Sequence, residues 1–403
     1  MKKGWTYKKL GEVFSSINNG ANIKQIKGAT GIPITRIETL SNDKFNRDRM
    51  GFANIENVTP FASYVLNEGD ILMSHINSMK FLGRSVAYSK MGDETIIHGM
   101  NLLRLVPTTN VLSPFMIYQF QTRYFKDQIL QISHQSVNQA SFNITNLKGL
   151  NIMVPPLAEQ ERIVEQLDAA FAQIDELKSN AERQLAEARA LFQAALTQAM
   201  QPKPGWQEKK LVNVCDIFGR IGFRGYTTKD LVSSQNDGAI SLSPSNIQNG
   251  EMDYSKRTYI SWFKYNESPE IKIFNGDILL VKTGSSYGKS ALVKNLPHEA
   301  TINPQSVVLK NFRINNEFFA YQLRTERVKK EFDQFVSGTA IPTFSQAKLG
   351  IVPIYFPGEI EQEQIVSYLN SINNLVKELE EINRKTATEC DALKQALLRQ
   401  IFE

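Results

Sequence analysis

Seven residues, GSSYGKS at Gly284–Ser290, have the types that could cradle a phosphate. A phosphate-binding loop follows G-x-x-x-x-G-K-[ST] and opens a helix, so that backbone N–H groups converge on the phosphate oxygens. Here the glycines stand one residue too close, and the ALVKN that follows has the pattern of a strand. The four histidines, His75, His98, His134 and His298, are scattered, and none has a Cys or carboxylate at metal-ligand spacing. Cys215 and Cys390 are far apart and fit no metal or disulfide framework. No G-x-S-x-G elbow occurs, and no Asn/Asp-Pro-Pro-aromatic tetrapeptide of the kind expected of an amino-methyltransferase. Asp70 and Asp277 stand in Gly-Asp turns, where Asp is common for backbone reasons. The residues predict no catalytic constellation, no metal site and no cofactor held by this chain.

Polar and basic loops are the chemistry that remains. After the segment GDILMS (Gly69–Ser74) come His75, Asn77, Ser78, Lys80 and Arg84; after GDILLV (Gly276–Val281) come Lys282, Thr283, Ser285, Ser286, Tyr287 and Lys289. A second loop in each half, SHQSVNQASFNITN (Ser133–Asn146) and VSGTAIPTFSQAK (Val336–Lys348), precedes a terminal strand. Asn, Gln, Ser, Lys and Arg are the side chains that reach base edges and phosphates. The candidate nucleic-acid contacts are Arg36, Asn77, Lys80, Arg84, Gln135, Asn138, Gln139 and Asn143 in the first half. In the second half they are Asn246, Lys282, Thr283, Ser285, Tyr287, Lys289, Thr339, Ser345, Gln346 and Lys348. Loops are polar in any protein, so composition alone would also suit a scaffold whose tandem domains bind protein or glycan ligands.

Charge distribution favours the nucleic-acid reading. Residues 1–156 carry +7, 157–201 carry −4, 202–358 carry +6 and 359–403 carry −4. Two basic blocks thus alternate with two acidic ones, and linked basic modules multiply modest affinities. With 403 residues, two or three domains are expected. There is no run of eighteen apolar residues and no apolar signal region after MKKGWTYKKL, so a cytoplasmic protein with reduced thiols is expected.

The elements that must position these loops occur twice. GWTYKKLGEVF (Gly4–Phe14) returns as GWQEKKLVNVC (Gly205–Cys215), GDIL returns, and SFNITNLKGLNIMVPP returns as TFSQAKLGIVPIYFPG, in the same order. GDILMS and GDILLV read as turns entering buried strands, GRSVAY and GKSALV as the strands after, and LNIMVPP and IVPIYFP as short strands stopped by proline. SPFMIYQFQTRYFKDQILQ and NNEFFAYQLRTERVKKEFDQF each have the apolar spacing of one helix.

Each acidic block opens on a proline and a Glu/Gln run: PPLAEQERIVEQL at Pro155–Leu167 and FPGEIEQEQIVSYL at Phe356–Leu369. Neither block is broken by Gly or Pro after its start. The first has a heptad-like stripe through Ile163, Leu167, Ala170, Ile174, Leu177, Ala181, Leu185, Ala188, Phe192, Ala195 and Ala199. The second has one through Ile365, Leu369, Ile372, Val376, Leu379, Thr386, Cys390, Leu393 and Leu397. Each helix would be about 60 Å long. Connectivity requires them to run antiparallel if they pair. The expected fold is α+β: two similar mixed α/β domains at 1–156 and 202–358, joined by an antiparallel two-helix coiled coil at 157–201 and 359–403.

With the duplicated plan, the paired GDIL strands, NIQNG at Asn246–Gly250 and PPLAEQERIVEQLD, the sequence resembles the specificity subunits of type I restriction–modification systems. The second PPLAEQ copy is degenerate, with Gly358 for a proline and one residue inserted, and TLSND (Thr39–Asp43) stands where NIQNG would in the first half. The resemblance implies two target-recognition domains, each reading half of a split site in double-stranded DNA, with the helices setting a gap of at most roughly 18 base pairs. It implies that modification (adenine methyltransferase) subunits, two of them, dock on the helices. Restriction subunits would join through the complex. S-adenosylmethionine, ATP and Mg would be bound by those partners, the specificity subunit being non-catalytic.

Overall fold

The computed structural model describes residues 4–26, 31–41, 43–137, 139–336 and 341–403. The chain divides into two units, Met1–Glu182 with Asn383–Glu403, and Arg183–Ile382. Unit 1 is built on a four-stranded antiparallel sheet in the order Ser85–Ala87, Ile71–Ser74, Leu102–Pro107, Phe14–Asn19. Unit 2 repeats the order with Ser290–Leu292, Ile278–Val281, Ser306–Lys310 and Asp216–Gly219. Each unit also pairs its first strand with its last: Thr6–Lys9 with Asn151–Val154, and Gln207–Lys210 with Pro353–Phe356.

The Gly-Asp turns are built alike. Gly69 and Gly276 hold φ near +81° and +95°, the left-handed region that glycine enters freely. Asp70 then accepts the Asn67 N–H at 2.7 Å, and Asp277 the Phe274 N–H at 2.8 Å. Each carboxylate also meets a cation across the sheet, Arg104 at 2.7 Å and Lys310 at 2.5 Å. Burial pushes the Asp70 carboxyl above its ordinary range, against the pull of the Asn67 N–H and Arg104. The strands that follow are buried at every position, as central strands covered on both faces are.

The sheets' surroundings differ. Unit 1 adds a three-stranded sheet of Gln25–Ile26, Gly51–Ala53 and Ile32–Ile34. Unit 2 adds a five-stranded sheet in which Gly238–Leu242 runs parallel to Ala300–Ile302.

Each helix expected ahead of the terminal strand is in fact two. Ser113–Gln121 and Arg123–Gln131 break at Thr122, whose φ/ψ is extended and whose hydroxyl accepts the Phe125 N–H at 3.2 Å. Asn316–Leu323 and Glu326–Phe335 break likewise at Thr325, which accepts from Val328. Apolar periodicity runs through both breaks; the threonine N-caps mark them.

The long helices span Leu157–Ala199 and Glu359–Phe402, and each unit contains one part of both. Within unit 1, Asp175 pairs with Lys394 at 2.6 Å and Lys178 with Asp391 at 3.3 Å, so residue numbers rise on one helix as they fall on the other. Within unit 2, Arg189 pairs with Glu380 at 2.6 Å. The apolar stripe is partly corrected. Leu177 and Leu393 are 55% and 50% exposed, because a four-residue step from Ile174 and from Cys390 puts Lys178 and Lys394, half-buried in their cross-helix ion pairs, on the contact face instead. The ends of the helices join the domain cores instead. Ile163, Leu167, Leu398 and Phe402 lie in the unit 1 core, and Phe192, Leu196, Met200, Ile365 and Leu369 in that of unit 2.

Candidate nucleic-acid interface

The two candidate loops of each unit are zipped together by backbone hydrogen bonds. In unit 1, Ile76–Asn77 pairs with Ala140–Ser141, which pairs with His134–Gln135. In unit 2, Thr283 bridges Thr343, and the Gly284 N–H donates to the Pro342 carbonyl at 2.9 Å. One bond is common to both: Phe142 N–H donates to His75 O, and Phe344 N–H to Lys282 O, both at 3.2 Å. Phe142 and Phe344 are buried, so each seam is pinned by an aromatic ring. Loops more than fifty residues apart in sequence thus form one surface in each unit.

On the unit 1 surface, Lys80 and Gln135 are exposed, Lys80 beside the Phe81 ring at 5.4 Å and Gln135 in the short hairpin. Gln139 is exposed and its carbonyl accepts from Ser136, leaving the side chain at the surface. Asn77 is half-buried, donating to Ser74 Oγ and accepting the Ser78 N–H. Arg84 is committed to the fold: it donates to Leu40 O at 3.3 Å, pairs with Asp43 at 3.4 Å and stacks on Phe81 at 4.4 Å. Asn143 caps the helix Ile144–Lys148 by accepting the Asn146 N–H. Arg36 lies elsewhere, at the edge of a pocket described below. Asn138 and Thr339 lie outside the described residues.

On the unit 2 surface, Ser285 and Lys289 are exposed and Lys282 is half-buried. Thr283 shares a hydroxyl hydrogen bond with Thr343 at 2.8 Å. The Tyr287 hydroxyl donates to Asp333 at 2.8 Å, and that carboxylate holds the phenol above its ordinary pKa. Ser345 caps Gln346–Gly350, Gln346 donates to the Ile217 carbonyl, and Lys348 reaches Phe335 O at 3.5 Å.

Asn246 does not belong in the contact set. It is 4% exposed, its amide donates to Asp253 O and Lys256 O at 2.9 Å each, and its oxygen accepts from Ser243. All its hydrogen-bonding capacity is spent inside the protein. The NIQNG turn and the Glu251 that follows it are held within unit 2: Asn249 O accepts from Arg324, at the end of the Asn316–Leu323 helix, and Glu251 bonds Asn373 and pairs with Lys377 of the second long helix, both at 3.0 Å. TLSND does occupy the matching place, since Asn46 N–H donates to Thr39 O as Asp253 N–H does to Asn246 O, both at 2.8 Å.

Sequence reasoning missed two glutamines. Gln160 and Gln362 open the long helices and are buried, each tying its helix to its own domain. Their signal was the recurring Glu-Gln after proline.

Among the described residues no helix is long and apolar enough to cross a membrane. The model of the type I restriction modification DNA specificity domain matches twice, at residues 2–187 and 204–389. The chain is 25% identical to a putative type I restriction enzyme MjaX specificity subunit of Methanocaldococcus jannaschii, over 99% of this chain and 92% of that one. It is 24% identical to the EcoKI specificity subunit of Escherichia coli, over 69% and 61%. A solved chain from a study of complex assembly and conformational transition in the type I R-M system superposes with a TM-score of 0.74 at 18% identity, covering 100% of this chain and 98% of that one. The HsdS subunit from Thermoanaerobacter tengcongensis gives 0.52 at 18% identity, covering 100% and 97%. With both halves matched, the chain belongs to the type I restriction–modification DNA specificity family and carries that family's domain twice.

Proposed function

We propose that each unit of this specificity subunit reads one half of a split DNA site through its zipped loop pair, and that the long helices set the gap between the half-sites. The zipped pair is the observation that carries the reading. It places exposed Lys80, Gln135 and Gln139 on one surface of unit 1, and Lys282, Ser285 and Lys289 on one surface of unit 2. Cations there position the backbone, while amides and hydroxyls reach base edges. The acidic helices suit protein docking better than DNA: modification subunits, two of them, dock there, and restriction subunits join through the complex. The chain contributes recognition and no bond-breaking step; S-adenosylmethionine, ATP and Mg belong to the partners.

Coexpression with a matched modification subunit, followed by sequencing of methylated DNA, tests this. A bipartite adenine motif with a fixed gap is expected. A proven complex that methylates no motif rejects the reading in favour of a scaffold for other ligands.

A further inference from the structure

We infer that the rim of a pocket in unit 1, formed by Asn22, Gln25, Arg36 and Asn101, is a second base-reading element, outside the zipped loops; this rests on unit 1 being a DNA-recognition domain. The pocket is a cavity of about 390 Å³ where three backbone segments cross. Ala21 N–H donates to His98 O at 2.8 Å, Thr35 N–H to Ile97 O at 2.9 Å, and Gly99 N–H to the buried Thr35 hydroxyl at 2.9 Å. A Cβ on Gly20 would lie 2.3 Å from the Gly99 carbonyl, and one on Gly99 would lie 2.2 Å from Thr35 O. The segments therefore meet backbone to backbone, which fixes the floor beneath exposed side chains.

The rim chemistry selects a base over a phosphate. Amides of Asn and Gln match the paired donor and acceptor of adenine, and a guanidinium matches the two acceptors of guanine. Glu38, 3.9 Å from Arg36 Nε, repels a phosphate but can accept from a cytosine amino group. The pocket is also linked to the loop surface. The Arg36–Thr39 turn runs into Leu40, whose carbonyl Arg84 holds at 3.3 Å from beside Lys80.

Unit 2 is different at this place. Ser243 occupies the position of Arg36: Arg36 N–H donates to Thr39 Oγ1 at 2.9 Å, and Ser243 N–H to Asn246 Oδ1 at 3.0 Å. The parallel pairing of Ser241 with Thr301 matches that of Ile34 with Ile97, which aligns Ile302 with His98. There the Arg220 guanidinium donates to Ile302 O at 3.1 Å and packs over Tyr226, filling the corner from within. The two half-sites should accordingly differ at the position this rim reads.

The test uses the full chain coexpressed with its modification partner and methylome sequencing. Gln25→Ala and Arg36→Ala should each lower discrimination at one position of the first half-site by roughly tenfold, leaving the gap and second half-site unchanged. Gly51→Ala should relax the same position without removing a rim group, because its Cβ would meet Gln25 Oε1 at 2.3 Å and Arg36 Cδ at 3.1 Å. The intact second half-site reports that the chain is folded. An unchanged motif in the two alanine variants overturns the inference, as does a uniform fall in methylation with the motif intact. A wild-type complex with no bipartite motif overturns the DNA reading instead.

Discussion

The Gln160 side chain accepts the Leu112 N–H at 2.9 Å while its amide donates to Pro155 O at 2.9 Å and Asn110 O at 3.0 Å. Gln362 does the same with Asn315 N–H at 2.9 Å and Pro357 O at 2.8 Å. Each long helix is thus bolted at its first turn to the strand before it and to the loop entering a neighbouring helix. Replacing Gln160 with alanine orphans a backbone N–H and two carbonyls, so unit 1 should lose about 1–3 kcal/mol in urea unfolding. The Gln362→Ala cost should fall on unit 2, and the double variant should be additive, because the sites share no partners.

Lys80 and Lys289 are exposed on the two loop surfaces. Each Lys→Ala change should reduce the slope of log affinity against log salt for cognate DNA by roughly one, with little change in sequence preference. Titrations of the assembled complex across a salt series would measure both. A changed motif would contradict their assignment as phosphate contacts.

Asn246→Ala should behave in the opposite way. The loss of a buried amide that braces Asp253 and Lys256 should destabilise unit 2 by about 1–3 kcal/mol. The salt dependence of binding by the folded fraction should not move.

Acid should loosen unit 1. His98 is 1% exposed, and its Nε2 donates to Leu102 O at 2.8 Å. Burial pushes its pKa from 6.5 down to about 4, although the bond to Leu102 pulls the other way. The unfolded chain therefore takes up this proton below pH 6.5 and the folded chain only near pH 4. The stabilisation is present above pH 6.5 and falls away between 6.5 and 4, by roughly 2–3 kcal/mol. His75, also lowered by burial, adds in the same direction. Hydrogen-exchange protection factors in Leu102–Pro107, taken relative to the intrinsic rate at each pH, should fall over that window, and His98→Gln, which keeps a donor, should flatten the trend.

Both cysteines are buried, and burial pushes the Cys215 thiol up to about 12. Cys390 is sealed against the first long helix, its sulfur 3.8 Å from Ile174 O. Neither should react with a thiol reagent near neutral pH within the time an unfolded control reacts fully. Fast labelling of Cys390 alone would show that the helices part locally.

The sequence by itself determined what is local or repeated. Gly-Asp turns, proline-stopped strands and helices uninterrupted by Gly or Pro are written in short stretches, and duplication made each legible twice. The family was readable for the same reason, because its marks are the duplicated plan and short contiguous stretches, above all the PPLAEQERIVEQLD helix start. Tertiary structure decided what depends on distant partners. Periodicity ran straight through Thr122 and Thr325, since a cap changes the backbone path without interrupting apolar spacing. Asn246 and Tyr287 carry the same polar groups as a base reader, and only their neighbours Asp253, Lys256 and Asp333 show those groups already engaged. Asn22, Gln25 and Asn101 drew no notice in the sequence, because three chain segments must cross at glycines before they share a rim. Residue type states what a side chain can bond; the fold decides whether a partner inside the protein has taken that bond first.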